Sequence, residues 1–359
     1  MRFVGGAVRD SLLSRPVVDI DIATTLPPEE VIRKAEAARL KAIPTGLQHG
    51  TVTLVSSGRP FEVTTLRRDV KTDGRRAEVA FHDDWEADAA RRDFTINAIY
   101  AKADGTLFDP VGGAEDLQAG RVRFIGDAAK RIEEDALRIL RFFRFHLRYG
   151  KGAPDAAGLA ACRAAVDKLD ILSIERIRDE LMKILSADDP LPVLTIMTDI
   201  GVMTHVLPDM RDVNRLECLI AVEQKLNDPD ALRRLFTLLP DRSAVEAAIR
   251  LKLSNVEKKR LTAMALGPVP DNWRESVYRT GKQAVIDRLI IHGPEPDPAT
   301  LRTILTWSVP TFPVTGADLM KCGIPEGPEL GEKLKELEER WIKSGFAKGR
   351  DDLLKRVTS

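Results

Sequence analysis

The chain has 359 residues, of which 43% are hydrophobic and 31% charged, and its 55 basic residues balance its 55 acidic residues. This length is enough for roughly two to four compact units with a sizeable core. The balanced charge gives no support for a uniformly basic nucleic-acid-binding protein, and an aromatic content of only 5% argues against a base-stacking surface.

A glycine turn follows the first predicted strand. Residues 2–4 are apolar-rich and lead into Gly5 and Gly6, and Arg9 comes shortly after. Because glycine has no Cβ, the backbone N–H groups of such a turn can approach a phosphate closely. An arginine can bind phosphate oxygens through two N–H groups. A Gly-Gly pair alone is usually only a turn, so Gly6 and Arg9 become candidate phosphate contacts only together with the next segment.

Residues 17–23 predict a strand that carries Asp19 and Asp21. Alternate side chains of a strand point to the same face, about 6.6 Å apart along the strand. Two carboxylates so close repel each other unless a cation lies between them, and Mg²⁺ commonly binds one or two carboxylates together with substrate phosphates. A lone Asp-x-Asp is more often a solvated strand edge. Combined with the glycine turn, the pair predicts a site for a nucleoside triphosphate and its metal ion.

The next elements predict an α/β region. Residues 28–40 predict a helix, and residues 51–55 and 61–66 predict strands rich in β-branched residues. Glu62 alternates in its strand as the two aspartates do in theirs, so a third metal ligand and a solvent-facing side chain are equally good interpretations. Residues 67–76 are charged and contain a glycine, and this composition favours a solvated hairpin connection.

Residues 88–100 predict a helix with one polar face. Asp93 and Asn97 are four residues apart and therefore share that face. Their side chains can hydrogen-bond ribose hydroxyls, while Arg92 can bind a phosphate. On spacing alone, an ordinary polar helix face is the better interpretation.

The stretch 127–149 contains a predicted helix with a stripe of arginines. These arginines fall within about 120° of the helix circumference, opposite an apolar face. They are Arg138, Arg141, Arg144 and Arg148. Such a stripe is expected to meet an anion, either a triphosphate or an RNA backbone. The acidic residues just before it, including Asp135, also suit the positive end of a helix dipole, but the dipole does not explain the arginines.

After about residue 150 the pattern is helical throughout, with short polar or proline-containing links. A break at residues 267–270 indicates a boundary between two helical regions. Residues 329–344 predict a long amphipathic helix. Basic and acidic residues are nearly balanced around this helix, so no bare basic patch is predicted.

Four motifs together resemble the class II nucleotidyltransferases, which are the bacterial tRNA CCA-adding enzymes and bacterial poly(A) polymerases. The motifs are G-G-x-V-R-D with D-x-D in residues 5–21, R-R-D-F-T-x-N-A in 91–98, D-P-V-G-G in 109–113 and E-D-x-x-R in 134–138. The resemblance implies an α+β protein. Its N-terminal head would have the polymerase β-like nucleotidyltransferase fold, a mixed sheet with helices, followed by an all-α neck, body and tail. The regions that we assign are a head at 1–125, a neck at 126–186, a body at 187–268 and a tail at 269–359.

The resemblance also implies the chemistry. Asp19 and Asp21 would be the catalytic residues and would hold two Mg²⁺ ions for a two-metal nucleotidyl transfer. CTP and ATP would be the substrates, and tRNA would bind at the tail. The nucleotide-binding residues that it implies are Gly6, Arg9, Arg92, Asp93, Asn97, Asp135, Arg138, Arg141 and Arg144. Asp135 and Arg138 would contact the base edge, because a carboxylate accepts from the amino group of cytosine or adenine whereas arginine only donates.

We therefore expect template-independent addition of C, C and A to the 3′ end of tRNA. The open alternatives are an enzyme that adds only CC or only A, a poly(A) polymerase, and a non-catalytic RNA-binding protein with a decayed head. In the family, the loop at 67–76 is associated with addition of the terminal A as well as C, which argues against the CC-only alternative. The oligomeric state stays open. So does the N-terminus, since Gly5 follows only four residues where many relatives have a preceding helix.

Neither a membrane span nor secretion is expected. The sequence has no run of about eighteen apolar residues and no secretory leader. Its three cysteines, Cys162, Cys218 and Cys322, lie far apart and have neither zinc-site spacing nor a disulfide framework. These features favour free thiols in a reducing compartment, and we expect a cytoplasmic protein.

Overall fold

The computed structural model describes residues 1–72, 77–211, 213–293 and 296–355. It divides into two compact units, Met1–Met210 and Arg211–Ser359. In the described ranges, the first unit contains the strands and ten helices, and the second unit is built from helices. The predicted α+β fold with a mixed sheet is therefore confirmed. The division into head, neck, body and tail stays a prediction.

The first unit is organised around a seven-stranded mixed sheet. The strands in chain order are β1 (Arg2–Val4), β2 (Asp21–Thr24), β3 (Lys41–Gly46), β4 (Thr51–Ser56), β5 (Arg59–Thr65), β6 (Arg67–Thr72), β7 (Ala77–Phe81), β8 (Tyr100–Ala101) and β9 (Leu107–Phe108). The sheet order is β3-β4-β5-β2-β1-β8-β9. β2 runs antiparallel to β1 and parallel to β5, while β6 and β7 form a separate antiparallel hairpin.

The helices of the two units follow each other with short links. The first unit has α1 (Gly6–Leu12), α2 (Pro28–Ala37), α3 (Trp85–Ala90), α4 (Gly113–Ala119), α5 (Ala128–Glu134), α6 (Arg138–Tyr149), α7 (Ala156–Ala164), α8 (Ile174–Leu185), α9 (Leu191–Asp199) and α10 (Val202–Val206). The second unit has α11 (Asn214–Leu226), α12 (Ala231–Thr237), α13 (Ala244–Arg250), α14 (Asn255–Met264), α15 (Trp273–Thr280), α16 (Lys282–His292), α17 (Pro298–Thr306), α18 (Gly316–Lys321), α19 (Pro328–Lys343) and α20 (Arg350–Leu354). In the described part of the chain, every helix is too short or too polar to cross a lipid bilayer.

Apolar clusters cover both faces of the seven-stranded sheet. On one face, Val31 of α2 packs with Val63 of β5, and Ile22 of β2 joins them. On the other face, Ala23 of β2 packs with Tyr100 of β8 and with their apolar neighbours. Because successive strand residues point to opposite faces, this alternation fixes β2 between two buried layers. The start of β2 is thereby held at a defined edge of the sheet.

Several predicted elements are confirmed with small shifts of their ends. The predicted helix at 28–40 is α2, the predicted strands at 51–55 and 61–66 are β4 and β5, and the predicted helix at 329–344 is α19. The predicted strand at 17–23 begins later, at Asp21, so that Asp19 lies just before β2. Residues 67–72 of the predicted loop form β6, and residues 73–76 lie outside the described residues.

The predicted continuous helix over 88–100 is wrong. α3 ends at Ala90, and a 3₁₀ turn spans Thr95–Asn97 before β8. Between them, Asp93 Oδ1 accepts hydrogen bonds of 2.9 Å from the Phe94 N–H and from Asn97 Nδ2. Short polar side chains that bond the nearby backbone in this way compete with helix formation. The segment is therefore a tight polar turn, in which Asp93 and Asn97 still meet.

The predicted helix that carries the arginine stripe is α6, and the shorter helix α5 precedes it within the stretch 127–149. The chain is extended at Asp135, with φ −157° and ψ 105°. The Asp135 carboxylate accepts a hydrogen bond of 3.1 Å from the Leu137 N–H, which is the local turn that aspartate favours. Asp135 therefore lies in the turn between α5 and α6, just before the helix that carries the arginines.

Candidate active site

Asp19 and Asp21 lie in a cleft of about 520 Å³ that is lined by residues 17–21 and 59–62. Asp21 opens β2 and is the register partner of Glu62 on the parallel neighbour β5. The predicted pair thus stands at the end of the only parallel strand pair among the described strands. Both carboxylates line the same cleft, as the alternation of strand side chains predicted.

The electrostatics of this pair suit a bound cation. Burial raises the pKa of Asp21 above its usual value, the charge of Arg92 opposes this increase, and the charge of Asp19 adds to it. Two like charges are thus held together where desolvation already disfavours them. Carboxylate oxygens are hard ligands of the kind that Mg²⁺ prefers. Within the described ranges no three His, Cys, Asp or Glu side chains are grouped to hold a metal ion, so Glu62 does not complete a three-residue cluster.

Arg92 lies between the glycine turn and Asp21. Its Nη1 donates to the carbonyl oxygen of Asn97 at 3.4 Å and would be 3.7 Å from a Cβ added to Gly5. Gly5 has φ +65°, a left-handed conformation that glycine adopts without strain. Because the Arg92 charge also acts on Asp21, the structure brings together the turn, this arginine and one of the predicted metal ligands.

Arg9 is buried, with only 7% of its surface exposed. Its Nε donates to Asp10 Oδ1 at 3.0 Å and its Nη1 donates to Asn97 Oδ1. Its guanidinium also lies 4.1 Å from the centre of the Tyr149 ring. The Tyr149 hydroxyl in turn donates to Asp10 Oδ1 at 2.9 Å. The predicted phosphate contact is therefore embedded in a network that joins α1 to α6.

Asp93 is the second end of that network. Its Oδ1 accepts a hydrogen bond from Asn97. Its Oδ2 accepts from the guanidinium of Arg141, with an Nε to Oδ2 distance of 2.8 Å. Burial would raise the pKa of Asp93, but the Arg141 charge and the hydrogen bonds outweigh it, so this pKa lies below its usual value. Asp93 is therefore ionised and locks the turn at 93–97 onto α6.

The predicted arginine stripe of α6 does meet anions, and they are carboxylates of this chain. Arg138 Nη1 is 2.5 Å from Glu134, Arg141 binds Asp93, and Arg144 Nε is 2.5 Å from Glu180 of α8. The outermost arginine, Arg148, is 3.7 Å from Asp10. These pairs hold the stripe in place, so a substrate anion would bind to arginines whose directions are already set.

The third sequence motif, at 109–113, and Asp116 just after it support the turn that carries Asp93. Asp116 Oδ2 accepts hydrogen bonds from Thr95 Oγ1 at 2.7 Å and from Arg123 Nε at 2.8 Å. Gly113 packs directly on this turn, since a Cβ there would be 2.1 Å from the Thr95 carbonyl oxygen. The motif is thus a structural support, and only glycine fits at this contact.

Four residues that bind the predicted site residues were given no role in the site from the sequence. They are Asp10, Asp88, Arg176 and Glu180. The spacing of Asp88 from Arg91 and Arg92, three and four residues along the chain, is a signal that could have found it. Arg176 and Glu180 meet Asp135 and Arg144 from 41 and 36 residues away. Such long-range pairs leave no mark in a single sequence.

Comparison with known proteins identifies the family. The Poly A polymerase head domain matches residues 1–123, and the probable RNA and SrmB-binding site of polymerase A matches residues 155–213. CCA tRNA nucleotidyltransferase 1, mitochondrial, of Mus musculus is 38% identical over 383 residues, covering 99% of this chain and 86% of that protein. The CCA-adding enzyme of Latilactobacillus sakei is 31% identical, covering 98% of this chain and 92% of the enzyme. The chain belongs to the CCA-adding tRNA nucleotidyltransferase family.

A solved structure agrees with this family and with its fold. The crystal structure of the Bacillus stearothermophilus CCA-adding enzyme in complex with CTP matches with a TM-score of 0.74 and 28% identity, over 99% of this chain and 92% of that one. Family membership implies dependence on a divalent metal ion. Mitochondrial and bacterial proteins both appear among the relatives, so the family is confirmed without the bacterial qualifier.

Proposed function

We propose that the protein adds C, C and A to the 3′ end of tRNA from CTP and ATP without a nucleic-acid template. The observation that carries this proposal is the arrangement at Asp21, where Arg92 and the Gly5 turn meet the carboxylate pair, in a chain that aligns with CCA-adding enzymes over nearly its full length. The reaction is a nucleotidyl transfer, in which the 3′-hydroxyl attacks the α-phosphate and pyrophosphate leaves.

Asp19 and Asp21 would hold Mg²⁺, since they offer two hard oxygen donors in one cleft. When bound, the metal lowers the pKa of the attacking hydroxyl and offsets the charge of the triphosphate. The carboxylates themselves fix where the 3′ end and the α-phosphate meet. Gly6 would leave room for the phosphates at the turn, as glycine allows, and Arg92 would bind their oxygens.

Arg9, Asp93 and Asn97 would shape the ribose and phosphate part of the site. Asn97 bridges the other two, because its Oδ1 accepts from Arg9 and its Nδ2 donates to Asp93. In this arrangement the orientation of the Asn97 amide is fixed from both ends. A ribose hydroxyl that approaches the turn would thus find donors and acceptors in set directions.

Asp135 and the arginines of α6 would recognise the base. Asp135 accepts from the amino groups that cytosine and adenine share, and Arg138 donates to their ring acceptors. Arg141 and Arg144 would orient the nucleotide from the same face of α6. Uracil and guanine reverse the pattern at key positions and would leave buried groups unpaired. Side chains would thereby replace a template.

We also propose the regional roles of a head at 1–125, a neck at 126–186, a body at 187–268 and a tail at 269–359 that binds tRNA. The match of residues 155–213 to a probable RNA-binding region supports an RNA partner. A bacterial type of enzyme acting in the cytoplasm fits the bacterial relatives and the three free cysteines. Microscopy of a fluorescently tagged protein in its native cell would test the location, and accumulation in an organelle would contradict it.

The test is an incorporation assay on tRNA that lacks its last three nucleotides, with Mg²⁺ and CTP, ATP or both. We expect extension by three nucleotides that stops at CCA when both nucleotides are present. A stop at CC would make this a partial enzyme, addition of A only to tRNA that already ends in CC would make it an A-adding enzyme, and a long A ladder would make it a poly(A) polymerase. Tight tRNA binding without any extension would instead favour a non-catalytic RNA-binding protein.

A further inference from the structure

Arg92 is held by two buried groups that none of the proposed roles includes. Its Nη2 donates to Asp88 Oδ2 at 3.2 Å, and its Nε donates to the Tyr100 hydroxyl at 3.2 Å. The Tyr100 hydroxyl donates to the same Asp88 oxygen at 2.7 Å. The three side chains therefore close a ring of hydrogen bonds. Asp88 is only 1% exposed and Tyr100 is fully buried.

The other oxygen of Asp88 is also occupied. Oδ1 accepts from Arg91 at 2.8 Å through Nε and at 2.5 Å through Nη2. Burial raises the pKa of Asp88. The charges of Arg92 and Arg91 and the hydrogen bond from Tyr100 lower it by more than burial raises it, so its pKa lies below the usual value. Asp88 is therefore a fixed anion behind both arginines, with one oxygen assigned to each.

This arrangement sets the direction of the Arg92 guanidinium. Nε and Nη2 face Asp88 and Tyr100, and Nη1 is left on the side of Asn97 and the Gly5 turn. An arginine side chain loses much rotamer freedom when it is immobilised. A protein that has already fixed the side chain gives up less free energy when an anion binds to it.

Stability alone is a poor explanation for Asp88. Its neighbours Ala89 and Tyr100 belong to an apolar cluster under the sheet, where a hydrophobic side chain would pack. Buried ion pairs contribute little net stability, because desolvation of the charges offsets their attraction. A carboxylate in this cluster is better explained by the orientation that it imposes on Arg92.

We propose that Asp88 is the positioning residue of the triphosphate-binding arginine: with Tyr100, it fixes Arg92 in the orientation that meets the triphosphate of CTP and ATP. The inference rests on the proposed function in one respect, since it takes a nucleoside triphosphate as the ligand of Arg92. Asp88 itself touches no substrate in this arrangement and acts through the arginine.

The test compares binding of CTP and CMP to the full-length protein. Both ligands carry the same base and ribose, so the ratio of their affinities isolates the contribution of the β- and γ-phosphates. We expect Asp88→Asn to weaken CTP binding by roughly tenfold or more, the effect of losing a charge-assisted contact, with a much smaller effect on CMP. Asp88→Glu should restore part of the ratio, because it restores the charge. Tyr100→Phe should lower the ratio less, because Asp88 remains.

Asp287→Asn in α16 is the matched control. Asp287 is also fully buried, and it also binds two arginines, Arg233 at 3.2 Å and Arg260 at 2.6 Å. We expect this variant to melt at a lower temperature and to keep the wild-type ratio of CTP to CMP affinity. The control thus separates general loss of a buried ion pair from loss of the Arg92 orientation.

The inference is overturned if Asp88→Asn and Tyr100→Phe both keep the wild-type affinity ratio while their melting temperatures fall. If Asp88→Asn does not fold, Tyr100→Phe decides alone, and an unchanged ratio in that variant overturns the inference. The proposed function is judged separately by incorporation with the wild-type protein. A wild-type protein that binds CTP but extends no tRNA would refute the function, and the ratio test would still judge Asp88.

Discussion

Arg176 of α8 donates a hydrogen bond of 2.7 Å to Oδ2 of Asp135, and the Leu137 N–H donates to the other oxygen at 3.1 Å. Both oxygens of the proposed base-reading carboxylate therefore have a fixed partner, one from its own turn and one from a distant helix. A carboxylate held in this way presents its remaining lone pairs in one direction. Discrimination between amino and carbonyl groups on a base edge requires such a fixed direction.

The first prediction is that Arg176→Met lowers nucleotide selectivity. Without its partner on Oδ2, Asp135 can rotate, and we expect discrimination of CTP and ATP against UTP and GTP to fall by roughly tenfold. Asp135→Ala should impair the same choice more strongly. Single-nucleotide incorporation with each triphosphate measures the ratio.

Arg178→Met is the control for that measurement. Arg178 lies on the same helix and pairs with its neighbour Asp179 at 2.7 Å. We expect this variant to keep wild-type selectivity. Unchanged selectivity in Arg176→Met and Asp135→Ala would contradict the base-reading role of the carboxylate.

The second prediction concerns the carboxylate pair. Asp19→Ala and Asp21→Ala should each abolish incorporation of both CTP and ATP, because each removes one of the two proposed metal ligands. Folding should stay intact, since the pair lines an open cleft rather than a core. Chelation of divalent ions should silence the wild-type protein in the same way. Glu36→Ala on α2 is the exposed-acid control. Retained activity in Asp19→Ala or Asp21→Ala would contradict the metal assignment.

The sequence was sufficient to predict which residues lie together when they are only a few positions apart in the chain. The alternation at Asp19 and Asp21 and the spacing of Asp93 from Asn97 both correctly predicted side chains that lie together. Their backbone was predicted less well. Asp93 bonds its own neighbours and ends helical structure there, a local competition that helix periodicity does not register.

The partners of these residues could not be predicted in the same way. Arg9 was predicted as a phosphate contact, and the sequence did not indicate its contacts with Asp10 and Tyr149, of which Tyr149 lies far along the chain. The arginine stripe on α6 was predicted to meet a triphosphate or an RNA backbone, and its pairing with carboxylates of the same chain, such as Glu180, was not predicted because it depends on how α8 packs. Tertiary packing decides these pairs, and a single sequence does not contain that information directly.

The third prediction is that Gly113→Ala destabilises the first unit. The added Cβ would lie 2.1 Å from the Thr95 carbonyl oxygen and 3.0 Å from Ile99, so α4 must move away from the turn. We expect a loss of roughly 2–3 kcal/mol in unfolding free energy. Gly331→Ala in α19 is the control, because nothing lies within 4 Å of the added atom. It should raise stability by about 0.5–1 kcal/mol, and equal effects in thermal unfolding would refute the packing argument.

The fourth prediction concerns acid sensitivity of the Asp93–Arg141 pair. The pKa of Asp93 in the folded protein lies below its usual 3.8, so in acid the unfolded chain takes up this proton first. The pair therefore stabilises the fold at neutral pH, and that contribution is lost as the pH falls from about 4 through the folded-state pKa.

Asp93→Asn tests this sign. It should lower the unfolding free energy at pH 7 by about 1–2 kcal/mol, a discounted value because Arg141 is one-third exposed. Below about pH 4 the variant should lose less further stability than the wild type, because one proton-linked group is gone. Urea unfolding at pH 7 and at acid pH measures both quantities, with Glu36→Gln on α2 as the exposed control. A variant whose stability declines in acid as steeply as that of the wild type would show that Asp93 does not carry the effect.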